Sequence, residues 1–289
     1  MELRYRLVNV FTRGREPLSG NPLCVFEDGR GLDTATMQAL ARQFNLSETT
    51  FILPSETADA RVRIFTPSYE MQFAGHPTLG TAHVCRALGL GGESLTLEMQ
   101  AGMIPVSAAR DRWTLQAQPA SWRECRESPE TLAAMLGIEP GDIGAKPLWV
   151  KAGKEQLVIP LMTEAAVRKA APRADAVARI VNEDGQGMAY VFAMLGAGRA
   201  VARFFFPDAS AILEDPATGS ATANFGGWLL ATGHALPVEI EISQGEAIKR
   251  PSTLRLRVDE AKRIFVSGEV VDLGTGLLRL DAGVSLLRP

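Results

Sequence analysis

Residues 3–11, LRYRLVNVF, alternate polar and apolar side chains for most of their length, which predicts a first β-strand. A loop marked by Gly14, Pro17 and Gly20 comes next, and NPLCVF at 21–26 returns as an apolar strand. Asp33 is placed to cap a helix over 34–44, where Met37, Leu40, Ala41 and Phe44 keep helical spacing. The β-branched and apolar run 49–53 predicts a strand, and ARVRIF at 60–65 another. A helix is expected over 78–88, stopped by Gly89, and then strands at 94–99, 104–108 and 112–117. The polar stretch 119–130 contains prolines and marks a domain boundary.

The second half repeats this style. Helices are expected at 129–136, 163–168, 174–182 and 219–231, the first and last ending at Gly137 and Gly233. Strands are expected at 148–150, 156–160, 188–194, 200–206, 238–243, 253–258, 264–271 and 276–280. No regular βαβ alternation runs through either half, so the pattern points to α+β or barrel-like domains and away from a doubly wound sheet.

Two stretches resemble one another. RIFTPSYEMQFAGHPTLGTA begins at Arg63, and RFFFPDASAILEDPATGSA begins at Arg203. Arg63, Phe65 and Pro67 match Arg203, Phe205 and Pro207 at an offset of 140, and His76-Pro77 aligns with Asp215-Pro216 at an offset of 139. A repeat of half the chain implies two similar domains, expected at 1–118 and 119–277, with residues 278–289 packing back on the first.

Composition narrows the function. Of 289 residues 46% are hydrophobic and 22% charged, as in a globular protein with two ordinary cores. A net charge of −3 gives no basic surface for nucleic acid. No apolar run approaches the ~20 residues of a membrane helix, and MELRYRLVNVFT lacks the pattern of a signal peptide, so a cytoplasmic protein is expected. Cys24, Cys85 and Cys125 form no CxxC pair, and the three histidines His76, His83 and His234 make no zinc spacing, so no metal site is expected. Gly196-Ala197-Gly198 is a fragment of a dinucleotide fingerprint, but Arg199-Ala200-Val201 reads as the start of a strand where that fingerprint needs a helix.

The chemistry concentrates at the repeated stretches. A helix start offers unpaired N–H groups and the positive end of a dipole, and Gly75, Gly80 and Gly219 allow close approach of a small carboxylate. His76 and Asp215 occupy matched places in the two copies and are groups able to hold and release a proton. Glu48, at a helix-to-strand junction, supplies a third candidate from another part of the chain. Each has a plain structural alternative: a solvated Glu48, a satisfied buried His76, and Asp215 as an N-cap.

SGNPLCVF, NLSETTF, FAGHPTLGTA, EDPATGSA and SQGEAIKRPS, in this order, resemble the PhzF-like phenazine-biosynthesis family over essentially the whole chain. The resemblance implies the diaminopimelate-epimerase-like α+β fold: two pseudo-symmetric domains, each a barrel-like mixed sheet around a central helix, with the site in the cleft between them. It also implies a cofactor-free isomerase, expected as a homodimer, acting on a small carboxylate-bearing molecule. By that resemblance Glu48 removes and returns a carbon-bound proton, and His76 and Asp215 orient the substrate and help the proton move. The N–H groups around Gly75, His76, Gly219 and Ser220 bind its carboxylate, and Asn21 joins the substrate-binding set. Gln244-Gly245 and Arg250 fall in the late motif and are expected to have a structural or domain-contact role. A related branch with two cysteines at the helix starts is a poor match, because Cys85 stands away from the turn. The competing reading is a non-catalytic binder of small organic acids.

Overall fold

The structure is a computed structural model that describes residues 1–208 and 211–280. Its contacts divide the chain into two units, one of 1–115 with the segment from Gly268 onward, the other Gln116–Ser267. The sequence placed these divisions at 118/119 and 277/278. The second differs because residues 264–279, expected as two strands, form one continuous strand. Its first residues pair inside the second unit and its later ones inside the first.

The first unit contains β1 (Glu2–Val10), β2 (Asn21–Phe26), α1 (Thr34–Phe44), β3 (Glu48–Leu53), β4 (Ala60–Phe65), β5 (Glu70–Met71), α2 (Gly75–Ala87), β6 (Ser94–Met99), β7 (Gly102–Ala109) and β8 (Arg112–Gln116). β1 runs antiparallel to β2, β2 parallel to β3, and β3 antiparallel to β4. β4 then runs parallel to β6, and β6, β7 and β8 are antiparallel neighbours.

The second unit contains β9 (Ser121–Glu124), α3 (Pro129–Leu136), β10 (Leu148–Lys151), β11 (Glu155–Pro160), α4 (Glu164–Lys169), α5 (Ala174–Val177), β12 (Ala189–Gly196), β13 (Arg199–Asp208), β14 (Ala211–Asp215), α6 (Gly219–Ala231), β15 (Val238–Gln244), β16 (Ser252–Val258) and the start of β17 (Ile264–Arg279). From β10 onward it repeats the same succession of antiparallel and parallel steps, including the parallel pairs β11–β12 and β13–β15. At the leading edge β9 stands antiparallel to β10, as the end of β17 does to β1. Leu278 and Arg279 pair with Leu3 and Glu2, while residues 281–289, part of the expected C-terminal packing, lie outside the described residues.

Each mixed sheet curls as a barrel around one helix. α2 is buried from Gly75 to Cys85, and α6 is buried over most of Gly219–Leu229. A helix made of small and apolar residues on every side has no solvated face, so it belongs inside. Further helices cover the outside of the sheets. α1 lies over Cys24, Phe26, Phe51 and Phe65, with Phe26 and Phe51 stacked at 4.7 Å. α3 and α4 pack with Trp149, Ile159, Val191 and Phe205 of the second unit. Strands covered on both faces lose the polar alternation, which is why NPLCVF and EQLVIP are apolar runs.

Gly80 serves this packing and not a ligand. A Cβ there would stand 2.6 Å from Leu23 Cδ2 and 2.8 Å from Val10 Cγ2. Gly80→Ala is expected to destabilise the protein by about 1–2 kcal/mol, overpacking outweighing the gain in helix propensity. A urea titration giving equal or higher stability would show that the α2 contact has slack.

Several elements depart from the sequence pattern. β9 is polar and exposed along its length, and forms because it pairs with β10, where Arg123 lies 4.7 Å over the Trp149 ring. The helix expected over 174–182 stops at Val177. Beyond it, Asn182 Oδ1 accepts from the Asp184 and Gln186 N–H groups and its Nδ2 donates to Glu155 O, which makes a turn there. α2 begins at Gly75 and not at residue 78.

Candidate active site

In the first unit the parallel step β2–β3 sets Glu48 beside Leu23, so the starts of both strands lie together. The approach to β2 is fixed by its loop: Asn9 Nδ2 donates to Pro17 O at 2.6 Å, and Ser19 Oγ accepts from Arg13 N–H and donates to Glu16 O. Gly20 turns at φ 78° so close to Val10 that a Cβ would lie 2.5 Å from its carbonyl oxygen. Asn21, the next residue, is buried. Thr50 of β3 and Thr81 of α2 share a buried hydroxyl contact of 2.8 Å, which ties the strand to the helix.

Glu48 Oε2 then lies 3.3 Å from Nδ1 of His76, the second residue of α2. His76 is 5% exposed and the Glu48 side chain 15%. Burial pushes the imidazole from its ordinary 6.5 down to about 3, although the Pro22 carbonyl beside the ring opposes the shift. Its Nε2 has no hydrogen-bond partner among the described residues. A nearby carboxylate favours the protonated ring, but burial prevails and the imidazole stays neutral at neutral pH. Tyr69, which the motifs did not single out, has its phenol raised by burial first and by Glu48 second.

The neutral ring makes stability depend on pH. The folded pKa lies below the unfolded one, so between about 3 and 6.5 the unfolded chain binds a proton that the folded chain refuses. This contribution is complete above pH 6.5 and is lost as pH falls toward 3. The wild type is therefore expected to lose stability over that window more steeply than His76→Gln, in thermal melts across pH. Parallel curves would refute the buried neutral imidazole.

In the second unit Asp215 is the last residue of β14, opposite Phe204 of β13. It is not an N-cap, since α6 is capped from Thr218, whose side chain makes no cap bond. Instead Thr218 Oγ1 donates to Asp215 Oδ2 at 2.5 Å. Gln244, at the end of β15, donates from Nε2 to Asp215 O at 2.9 Å and to Thr218 Oγ1 at 3.0 Å, and its Oε1 accepts from Thr218 N–H. The late motif thus fixes both the backbone and the carboxylate orientation of Asp215.

The ladders also correct the repeat. Arg63 pairs bidentately with Glu70 and lies over Phe65, and Arg203 pairs bidentately with Glu214 and lies over Phe205. Glu70 is opposite Phe65, as Glu214 is opposite Phe205. The offset of 140 therefore becomes 144 across the β13–β14 hairpin, and Gly75 and His76 correspond to Gly219 and Ser220. The structural counterpart of Asp215 is Met71. The match of His76 with Asp215 was a likeness of letters around proline. The β3–β4 and β12–β13 ladders likewise set Glu48 against Met188, so a carboxylate stands at this place in the first unit only.

The two helix starts do share one property. α1, α3 and α4 have side-chain caps from Asp33, Ser128 and Thr163, whereas neither Ala74 nor Thr218 caps α2 or α6, and the one-turn α5 is likewise uncapped at Arg173. The first N–H groups of α2 and α6 stay available to an anion. Neither start carries a thiol. Cys85 lies far along α2, where burial pushes it up to about 12.

Two barrel-like sheets, each around a buried helix, define a diaminopimelate-epimerase-like fold. The profile of the phenazine biosynthesis-like (PhzC-PhzF) family matches residues 8–276, and the chain belongs to that family. An uncharacterized isomerase of Pasteurella multocida is 37% identical over 283 residues, covering 96% of this chain and 95% of its own. The trans-2,3-dihydro-3-hydroxyanthranilate isomerase of Pseudomonas aeruginosa is 37% identical over 270 residues, covering 89% of this chain and 91% of its own. Among solved structures, a Bacillus anthracis phenazine biosynthesis protein of the PhzF family matches with a TM-score of 0.85 at 24% identity, over 97% of this chain and 100% of that one, and so shares the fold. The protein is an isomerase. No helix among the described residues is long and apolar enough to cross a membrane.

Proposed function

We propose that this isomerase moves a proton on a small, cyclic, carboxylate-bearing substrate of the dihydro-hydroxyanthranilate type. The observation that carries the reading is Glu48 Oε2 at 3.3 Å from a buried His76, at the uncapped start of α2. The charged Glu48 takes a proton from a ring carbon. The electron pair left behind spreads over the adjoining unsaturation, and return of the proton to a different carbon completes the isomerisation. His76 and Asp215 orient the substrate and help the proton move. Carboxylate-holding roles fall to N–H groups of Gly75 and His76 in the first unit and of Gly219 and Ser220 in the second, and a substrate-binding role to Asn21. Support for the substrate class comes from the Pseudomonas aeruginosa relative. No cofactor takes part in these steps. The same reading takes the protein as a cytoplasmic homodimer, a state that sedimentation equilibrium checks.

The test is turnover of trans-2,3-dihydro-3-hydroxyanthranilate in deuterated solvent. Product carrying carbon-bound deuterium is expected, because a carboxyl proton exchanges with water between transfers. Turnover without incorporation would remove a solvent-exchanging base, and binding without turnover would leave an acid-binding protein.

A further inference from the structure

A buried amide pair in the second unit has no counterpart in the first. Asn224, in the middle of α6, and Gln156, on β11, are both almost fully buried. Asn224 Oδ1 accepts from Ala152 N–H at 2.7 Å, and its Nδ2 donates to Lys154 O at 2.9 Å. A backbone N–H can only donate and a carbonyl only accept, so these two contacts fix which end of the Asn224 amide is oxygen. The remaining Nδ2 hydrogen must find an acceptor, and at 2.8 Å it meets Gln156 Oε1. That fixes Gln156 in turn and presents its Nε2, a donor only, 3.1 Å from Ser220 Oγ. Ser220 therefore accepts, and its own proton points away from Gln156. Among the described residues that proton meets no acceptor, and Ser220 is partly exposed.

The duplicated fold does not require this pair for packing. With the corrected offset of 144, Asn224 corresponds to Gly80 of α2. Leu23 is opposite Glu48, and Gln156 precedes Leu157, which is opposite Ala189; since Glu48 corresponds to Met188, Leu23 corresponds to Gln156. In the first unit the same place is thus filled by the apolar approach of Leu23 to Gly80. Buried polar groups cost free energy unless fully bonded, so two amides where a leucine and a glycine suffice call for a specific role.

We infer that Gln156 and Asn224 are positioning residues that make the Ser220 hydroxyl a directed hydrogen-bond donor to an anionic substrate oxygen. The inference rests on the substrate reading above for its ligand, but the direction of the hydroxyl stands apart from it. A donor at the second residue of α6 adds a side-chain hydrogen bond to the N–H groups there, and the first unit has His76 at the corresponding place. The chain of dipoles begins at backbone groups of Ala152 and Lys154, so the donor is set before the ligand arrives.

Two measurements test this. Neutron diffraction on the ligand-free, deuterium-exchanged protein should place deuterons of Gln156 Nε2 toward Ser220 Oγ, and the Ser220 deuteron away from Gln156. A Ser220 deuteron on the Gln156 side overturns the inference. Calorimetric titration with 3-hydroxyanthranilate should show binding weakened about 10- to 100-fold by Ser220→Ala. Gln156→Glu should weaken it similarly, because the new carboxylate draws the serine proton back. The double variant should be no weaker than Ser220→Ala alone. With trans-2,3-dihydro-3-hydroxyanthranilate as substrate, Gln156→Glu should raise KM more than it lowers kcat. Wild-type affinity in Gln156→Glu, or additive losses in the double variant, would defeat the positioning role. Should the wild type neither bind the first compound nor turn over the second, the substrate reading fails, and the neutron map alone decides the hydroxyl direction.

Discussion

Glu48→Gln is expected to lower turnover of trans-2,3-dihydro-3-hydroxyanthranilate by about 10²- to 10⁴-fold while leaving the fold and the KM nearly unchanged. Glutamine keeps the size and polarity of the side chain at the start of β3, so packing there survives. What it loses is the ability to take a proton. The side chain is only 15% exposed, so no bulk base can replace it freely. His76 does not substitute either, because burial holds its imidazole down to about 3 and makes it a weak proton acceptor. Circular dichroism and the urea midpoint should match the wild type, which separates loss of chemistry from loss of structure. Normal turnover in Glu48→Gln would remove Glu48 as the base, whatever the substrate.

Gly245→Ala should produce the largest loss of stability among single-atom additions in the second unit. Gly245 sits at φ 79°, in the left-handed region, and a Cβ would lie 2.3 Å from Arg250 O and 2.5 Å from Pro216 O. The backbone conformation alone costs an alanine about 1–2 kcal/mol. Both obstructing atoms belong to the main chain, and no rotamer change relieves them. The total should be on the order of 3 kcal/mol or more, read as a lower urea midpoint. Activity should fall with it, because Pro216 comes directly after Asp215 and Gln244 precedes the glycine, so any shift disturbs the bonds among Gln244, Thr218 and Asp215. An unchanged midpoint would mean that this turn yields easily. Through Gln244 the late motif is bonded to Asp215 and Thr218.

The structure alters how the duplication is understood. The halves share a ladder, a central helix and an uncapped helix start, but the chemical groups do not correspond. Glu48 has Met188 as its counterpart, Asp215 has Met71, and His76 has Ser220. The repeat supplies two helix starts without a side-chain cap, and each half carries different side chains around its own. Around α2 these are a carboxylate and a neutral imidazole. Around α6 they are an aspartate held by Thr218 and Gln244, and a serine held by Gln156 and Asn224.

The sequence by itself determined the parts whose causes are local. Period-two alternation located most strands, and Asp33 and Gly137 marked helix ends where the structure has them. The paired Arg-x-Phe-x-Pro stretches announced two like halves, and long motifs named Glu48, His76, Asp215 and Ser220 as the residues to test. Only the tertiary structure decided what depends on partners distant in the chain. β9 has no apolar pattern and exists because β10 offers it hydrogen bonds. One strand, β17, serves two ladders, so no composition change marks the unit boundary. The true register of the repeat needed the Arg63–Glu70 and Arg203–Glu214 pairs, since a four-residue difference in a hairpin is invisible to letter matching. Gln156 and Asn224 carried no signal as single polar residues, and the late motif marked Gln244 without showing what it holds. Their meaning arises from hydrogen bonds between β11, β15 and α6, residues 26 to 68 positions apart, and such contacts exist only once the sheet has closed around its helix.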